Sequence, residues 1–103
     1  MPRKTTALVH RGAGTIYLVL DDFGDLGQAY RETDPAAADR QTVVADLLSG
    51  EYRHPLRIVA FNTAEGWARD VSADIAGEVL ARAAESYQEL PGPVRDFVDR
   101  AGR

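Results

Sequence analysis

The sequence predicts a two-layer α+β sandwich, with helices on one face of a three-stranded mixed sheet of order 2-1-3 and elements in the order ββαβαα. Three observations predict it. Ile16-Tyr17-Leu18-Val19-Leu20 is an unbroken apolar run of strand formers, bounded by glycine and aspartates. Such a run, lacking alternation, belongs to a strand covered on both faces or central in a sheet. Ile58-Val59-Ala60-Phe61 is a second apolar run, and it breaks at Asn62-Thr63 into the longest helical pattern of the chain. Between the two lies a helical stretch long enough to cross over between parallel strands.

Residues 1–14, with Pro2, Arg3, Lys4 and an Arg11-Gly12-Ala13-Gly14 end, read as a flexible N-terminal arm, and 15–103 as a single globular domain. The first strand is Ile16 to Leu20. Asp21-Asp22-Phe23-Gly24-Asp25-Leu26-Gly27 then has turn chemistry, three acids and two glycines in seven residues. Gln28 to Thr33, half polar, reads as an edge strand returning as a hairpin. Asp34-Pro35 is a helix start, Asp as N-cap and proline where its missing N–H is not needed. That helix runs to Leu48 with Ala37, Val43, Val44, Leu47 and Leu48 inward and Asp39, Arg40 and Asp46 toward water, and Gly50 ends it. Pro55 favours extended backbone before the third strand.

The next pattern reads as a helix from Asn62 to Tyr87. Asn62 and Glu65 have the spacing of a capping box, Trp67 falls on the first turn, and Val71, Ile75, Val79, Leu80, Ala83 and Tyr87 form one drifting stripe. Asp70 to Asp74 holds a second possible cap, so the turn from Ala64 to Arg69 is open to being offset from the main body. Gly77 inside it is a mild destabiliser or a close-packing point. Leu90-Pro91-Gly92-Pro93 stops the helix, and Val94, Phe97, Val98 and Ala101 give a last short one its apolar face. The second strand, the crossover helix and the third strand form a right-handed parallel unit. The first strand fits between the two strands, antiparallel to both.

Composition narrows function more than it defines it. The chain has 103 residues, no cysteine, a formal charge of −4 and a pI near 5.0. Disulfides, thiolate metal sites and cysteine nucleophiles are excluded, and a reducing cytoplasm fits best. An acidic chain has no cation excess with which to grip phosphate backbones, and no apolar run approaches a membrane span, so neither nucleic acid nor membrane is expected as a partner. Eleven of the twelve basic residues are arginine, a bias that reads as codon usage.

Four features are candidates for chemistry. Asp21, Asp22 and Asp25 are metal candidates by residue type, yet Phe23 and Leu26 break the calcium-loop pattern counted from Asp21, and a solvated turn is the better reading. Val19-Leu20-Asp21-Asp22 is similar to the first strand end of response-regulator receiver domains, but no lysine follows Lys4 and Asn62 stands after the later strand. His10 and His54 lie on unrelated segments without a nucleophile motif, so no catalytic residue and no cofactor is expected. The start of the long helix is the preferred site: its free N–H groups attract anions, and Asn62, Thr63 and Trp67, with Arg31 and Arg69, are the expected ligand-binding residues. The last helix offers Val94, Phe97 and Val98 either to the domain or to a homodimer.

The run from Ile58 to Ile75, together with Tyr17 to Gly24, is similar to small bacterial proteins without an assigned role. The resemblance implies a compact bacterial domain and carries no catalytic residue across. The expected function is therefore a non-catalytic protein- or ligand-binding module, and the alternative a small enzyme or ligand-binding domain with the anion site at Asn62 to Trp67.

Overall fold

The structure, a computed structural model, describes residues 15–31 and 39–102. The proposed arm, Glu32-Thr33 and the Asp34-Pro35 helix start lie outside the described residues. Chain order is β1 (Thr15–Asp22), a single 3-10 turn (Gly24–Leu26), β2 (Gln28–Arg31), α1 (Arg40–Ser49), β3 (Pro55–Asn62), β4 (Trp67–Asp70), α2 (Ser72–Ser86) and α3 (Gly92–Ala101). The α+β class and the helix layer agree with expectation. The sheet does not: among the described residues it has four strands in the order β2-β1-β3-β4, and every neighbouring pair is antiparallel. Order 2-1-3 survives inside it. The label "mixed" fails because β2 and β3, which do run the same way, are separated by β1 and never pair.

The fourth strand is the larger correction. Asn62 to Trp67 begins as the sequence suggested, with the Asn62 Oδ1 accepting from the Glu65 N–H at 2.8 Å and the Asn62 carbonyl accepting from the Gly66 N–H at 2.8 Å. Those are helix-start bonds. Gly66, at φ 77°, then takes the left-handed conformation after a single turn and sends the chain back along β3 as a hairpin. The long helix therefore starts only at Ser72. There the Asp70 Oδ1, one residue before the Val71 N-cap, accepts from the Ser72 N–H at 2.8 Å, within the stretch where the sequence offered a second cap. The Ile58 N–H donates to Ser72 Oγ at 2.9 Å and the Val71 N–H to the Ile58 carbonyl at 2.9 Å, so the helix start is tied to the strand beneath it.

Asp39 is the N-cap of α1, accepting from the Thr42 N–H at 2.8 Å, and Gly50 closes the helix at φ 78°. Val43, Val44 and Leu47 of α1, Ile75 and Val79 of α2, and Val94, Phe97 and Val98 of α3 meet Val19, Ile58 and Ala60 of the sheet in one core. Leu80 and Tyr87, expected on the α2 stripe, are instead exposed, Tyr87 by 96%. Gly77 is exposed with open space around it, so it is not a close-packing point. Arg40 holds α1 to α2 through Glu78 and Asp74, and Gln88 donates to the Leu48 carbonyl at 2.8 Å. Among the described residues no helix is long and apolar enough to cross a membrane.

Alternation along paired strands gives the sheet two distinct faces. Tyr17, Val19, Asp21, Ile58, Ala60 and Asn62 point to the helices. Ile16, Leu18 and Leu20 of β1, Val59 and Phe61 of β3, and Tyr30 of β2 point the other way.

Candidate functional site

Of the five expected ligand residues, Asn62, Thr63, Trp67 and Arg69 share the β3–β4 hairpin and Arg31 stands apart from them. Asn62 ends β3 opposite Thr15, whereas Arg31 ends β2 opposite Val19, farther along β1. The hairpin groups are also engaged with one another. Besides its bond to Glu65, Asn62 donates from Nδ2 to Thr15 Oγ1 at 3.4 Å; the Trp67 indole N–H donates to Glu65 Oε1 at 2.8 Å; and the Arg69 guanidinium lies 4.8 Å from the Trp67 ring centre. Thr63 is exposed in the turn. An anion at Asn62 to Trp67 would meet the Glu65 carboxylate rather than the positive end of a helix, because the helix N-terminus that motivated the site lies ten residues further on, at Ser72.

The acid-rich turn divides by burial. Asp21 is completely buried. Its Oδ1 accepts from the His54 N–H at 2.7 Å, its Oδ2 from the Arg53 N–H at 2.9 Å and from Arg31 Nη1 at 3.3 Å. A register shift between Leu20 and Asp21 sets this carboxylate opposite Pro55, under the connector that leads into β3. Asp21 thus gives the Arg53 and His54 N–H groups, just before Pro55, a buried charged acceptor. Asp22 Oδ1 accepts from the Gly24 N–H at 2.8 Å, and Asp25 is exposed. Among the described residues no group of three or more His, Cys, Asp or Glu side chains is placed to hold a metal ion.

Sequence reasoning missed Tyr52. It is 4% exposed, stands in the core and carries Arg31 over its ring at 5.4 Å. Among the described residues its hydroxyl has no hydrogen-bond partner. Burial, reinforced by the Asp46 charge, pushes its pKa up to about 12. Burial and the neighbouring Glu51 charge also raise the Asp46 carboxyl. Arg31 therefore serves as the strap of this end of the sheet: it reaches Asp21, the Tyr52 ring and, at 3.1 Å, the Glu51 carbonyl. No periodic signal marks Tyr52, which sits in a five-residue connector, so only the fold reveals its burial.

The proposed dimer face of α3 is closed. Val94 and Phe97 are fully buried and Val98 is 6% exposed, all three inside the core. Among the described residues the three helices join the core on one side of the sheet, and no described element packs over Ile16, Leu18, Leu20, Val59 and Phe61 on the other, each of which is half-buried. Tyr30 beside them is 46% exposed. At its corners the same face carries Asp22, Gln28 and the Arg57–Asp70 ion pair at 3.4 Å. An apolar centre with a polar margin is how protein-binding surfaces are composed. Compared with models of protein families, with curated proteins and with solved structures, the chain matches none of them.

Proposed function

We propose that the protein is a small, non-catalytic, cytoplasmic binding module whose binding surface is the outer face of its sheet. One observation carries this reading: the two central strands are largely apolar on both sides, while among the described residues helices occupy only one. An antiparallel sheet that ends in water shows polar residues at every second position. Here Ile16, Leu18 and Leu20 stand where those polar residues would be. Contiguous apolar patches of a few hundred Å² on a folded chain mark interaction sites.

The test is uptake of an environment-sensitive apolar dye by the native chain at low protein concentration. Dye fluorescence rises with the wild type and is lost in Leu18→Glu, with far-UV circular dichroism unchanged. A wild type that takes up no dye would sink the reading.

A further inference from the structure

We infer that β2 and the connector from Glu51 to His54 form one latch, fastened by Arg31 over Asp21 and Tyr52, which opens as a unit while β3 and the helices stay folded. The inference goes beyond the binding-module reading and does not depend on it.

The two segments are far apart in sequence and share one fastening. β2 sends no residue into the core: all four of its residues are exposed, and it is held by pairing with β1 and by the reach of Arg31. The connector belongs to no helix or strand, and of its four side chains only that of Tyr52 is buried. Its Arg53 and His54 N–H groups donate to the Asp21 carboxylate at 2.9 and 2.7 Å, and its His54 carbonyl accepts from the Asp22 N–H at 3.2 Å. Arg31 joins both segments to that carboxylate, donating to Asp21 Oδ2 at 3.3 Å and to the Glu51 carbonyl at 3.1 Å, with the Tyr52 ring beneath it at 5.4 Å. When the guanidinium leaves, β2 and the connector lose the same partner.

Burial explains why the latch opens before the rest. The Arg31 side chain is 41% exposed, so its charge is wet in either state, whereas Asp21 is completely buried. Opening gives the Asp21 carboxylate water and gives the Tyr52 hydroxyl, which has no partner among the described residues, its first hydrogen bond. These are the groups that burial disfavours most, so their release offsets part of what exposing the Tyr52 ring costs. The core of α2 and α3 has no such relief, because Ile75, Val79, Val94 and Phe97 are apolar and fully buried. A segment with few buried apolar side chains and bonds at the solvent edge opens locally, below the free energy of global unfolding.

Native-state amide hydrogen exchange, followed by NMR at neutral pH with rising urea below the unfolding transition, tests the latch. In the wild type the Arg53, His54 and β2 amides exchange together through an opening that depends little on urea. The Val71 and Ile75 amides, bonded to the Ile58 and Val71 carbonyls, exchange more slowly and with the urea dependence of global unfolding. Val79→Ala, in the α2 core, accelerates Val71 and Ile75 and leaves the latch amides unchanged. Arg31→Gln accelerates the connector and β2 amides by a common factor, roughly ten- to a hundredfold, as loss of a charge-assisted bond implies. Tyr52→Phe slows them, since opening no longer frees a hydroxyl. If Arg31→Gln does not fold, the wild-type urea profile, Val79→Ala and Tyr52→Phe decide. Latch amides that share the urea dependence of Ile75, or that accelerate with it in Val79→Ala, overturn the local opening. Connector and β2 amides that respond separately overturn the single unit.

Discussion

Tyr52 and Asp21 are buried polar residues of opposite kinds. The Tyr52 hydroxyl has no partner among the described residues, so Tyr52→Phe removes a buried polar group and leaves the ring under Arg31. We expect stability at neutral pH to hold or rise by up to about 1 kcal/mol, read from urea denaturation. The pH dependence has a definite sign. Native Tyr52 keeps its proton up to about 12 while the unfolded chain releases it near 10.0, so the unfolded state binds fewer protons between those values. Stability is intact below pH 10 and declines above it, with a Tyr52 contribution of up to about 1.4 kcal/mol per pH unit. In Tyr52→Phe that part of the alkaline decline disappears; identical slopes for the two proteins would refute it. Asp21→Asn acts in the other direction, since an amide can face only one of the two backbone donors with its oxygen. A loss of at least about 2 kcal/mol is expected, from an unpaired buried N–H and the lost charge assistance.

At the scale of elements, helix ends and one helix interior make the predictions. Asp39 caps α1, and its backbone bond to Thr42 holds the carboxyl below its usual range. A lowered native pKa means that the cap's contribution is full above the unfolded value of 3.8 and fades as pH falls through it. Asp39→Ala should destabilise by about 1 kcal/mol at neutral pH, and Asp39→Asn should keep most of the cap while losing its acid sensitivity, both measurable by thermal melts at pH 7 and pH 3. Gly77→Ala should stabilise by about 1 kcal/mol, because the site is open and helical and alanine loses less backbone entropy. An unchanged melting temperature would show that α2 is not regular there. The hairpin of β3 and β4 depends on Gly66 in the same way that α1 depends on Gly50. Both are left-handed stops, but Gly50 follows ten helical residues and Gly66 follows one turn. The capping signal of Asn62 and Glu65 therefore holds as local chemistry but opens a single turn and not a long helix.

For the whole molecule, α3 decides cooperativity. Phe97 is buried among residues of all the other layers. Phe97→Ala should cost about 3–5 kcal/mol, against a total of about 5–15 kcal/mol for a domain of this size. The loss should appear as one transition, with Trp67 fluorescence at the sheet edge and far-UV circular dichroism of the helices moving together. Separate transitions would make α3 an appendage rather than part of the core.

The sequence by itself determined the local elements: the two apolar strands, the Gly50 stop, a helix start between Asp70 and Asp74 and an apolar face on α3 all follow from periodicity and capping, which neighbouring residues settle among themselves. The candidate site was less legible. Whether Asn62 opens a helix or a hairpin turns on Gly66 and on a four-residue strand too short and too charged to show a pattern, stabilised by pairing with β3. The burial of Tyr52 and Asp21, the separation of Arg31 from Asn62, and the closing of the α3 face were decided only by tertiary structure, because each depends on which distant segment comes to lie above it. The apolar run Ile16 to Leu20 shows both levels at once: its lack of alternation was plain in the sequence as a strand with two faces to cover, and the fold shows that the helices cover only the side of Tyr17 and Val19.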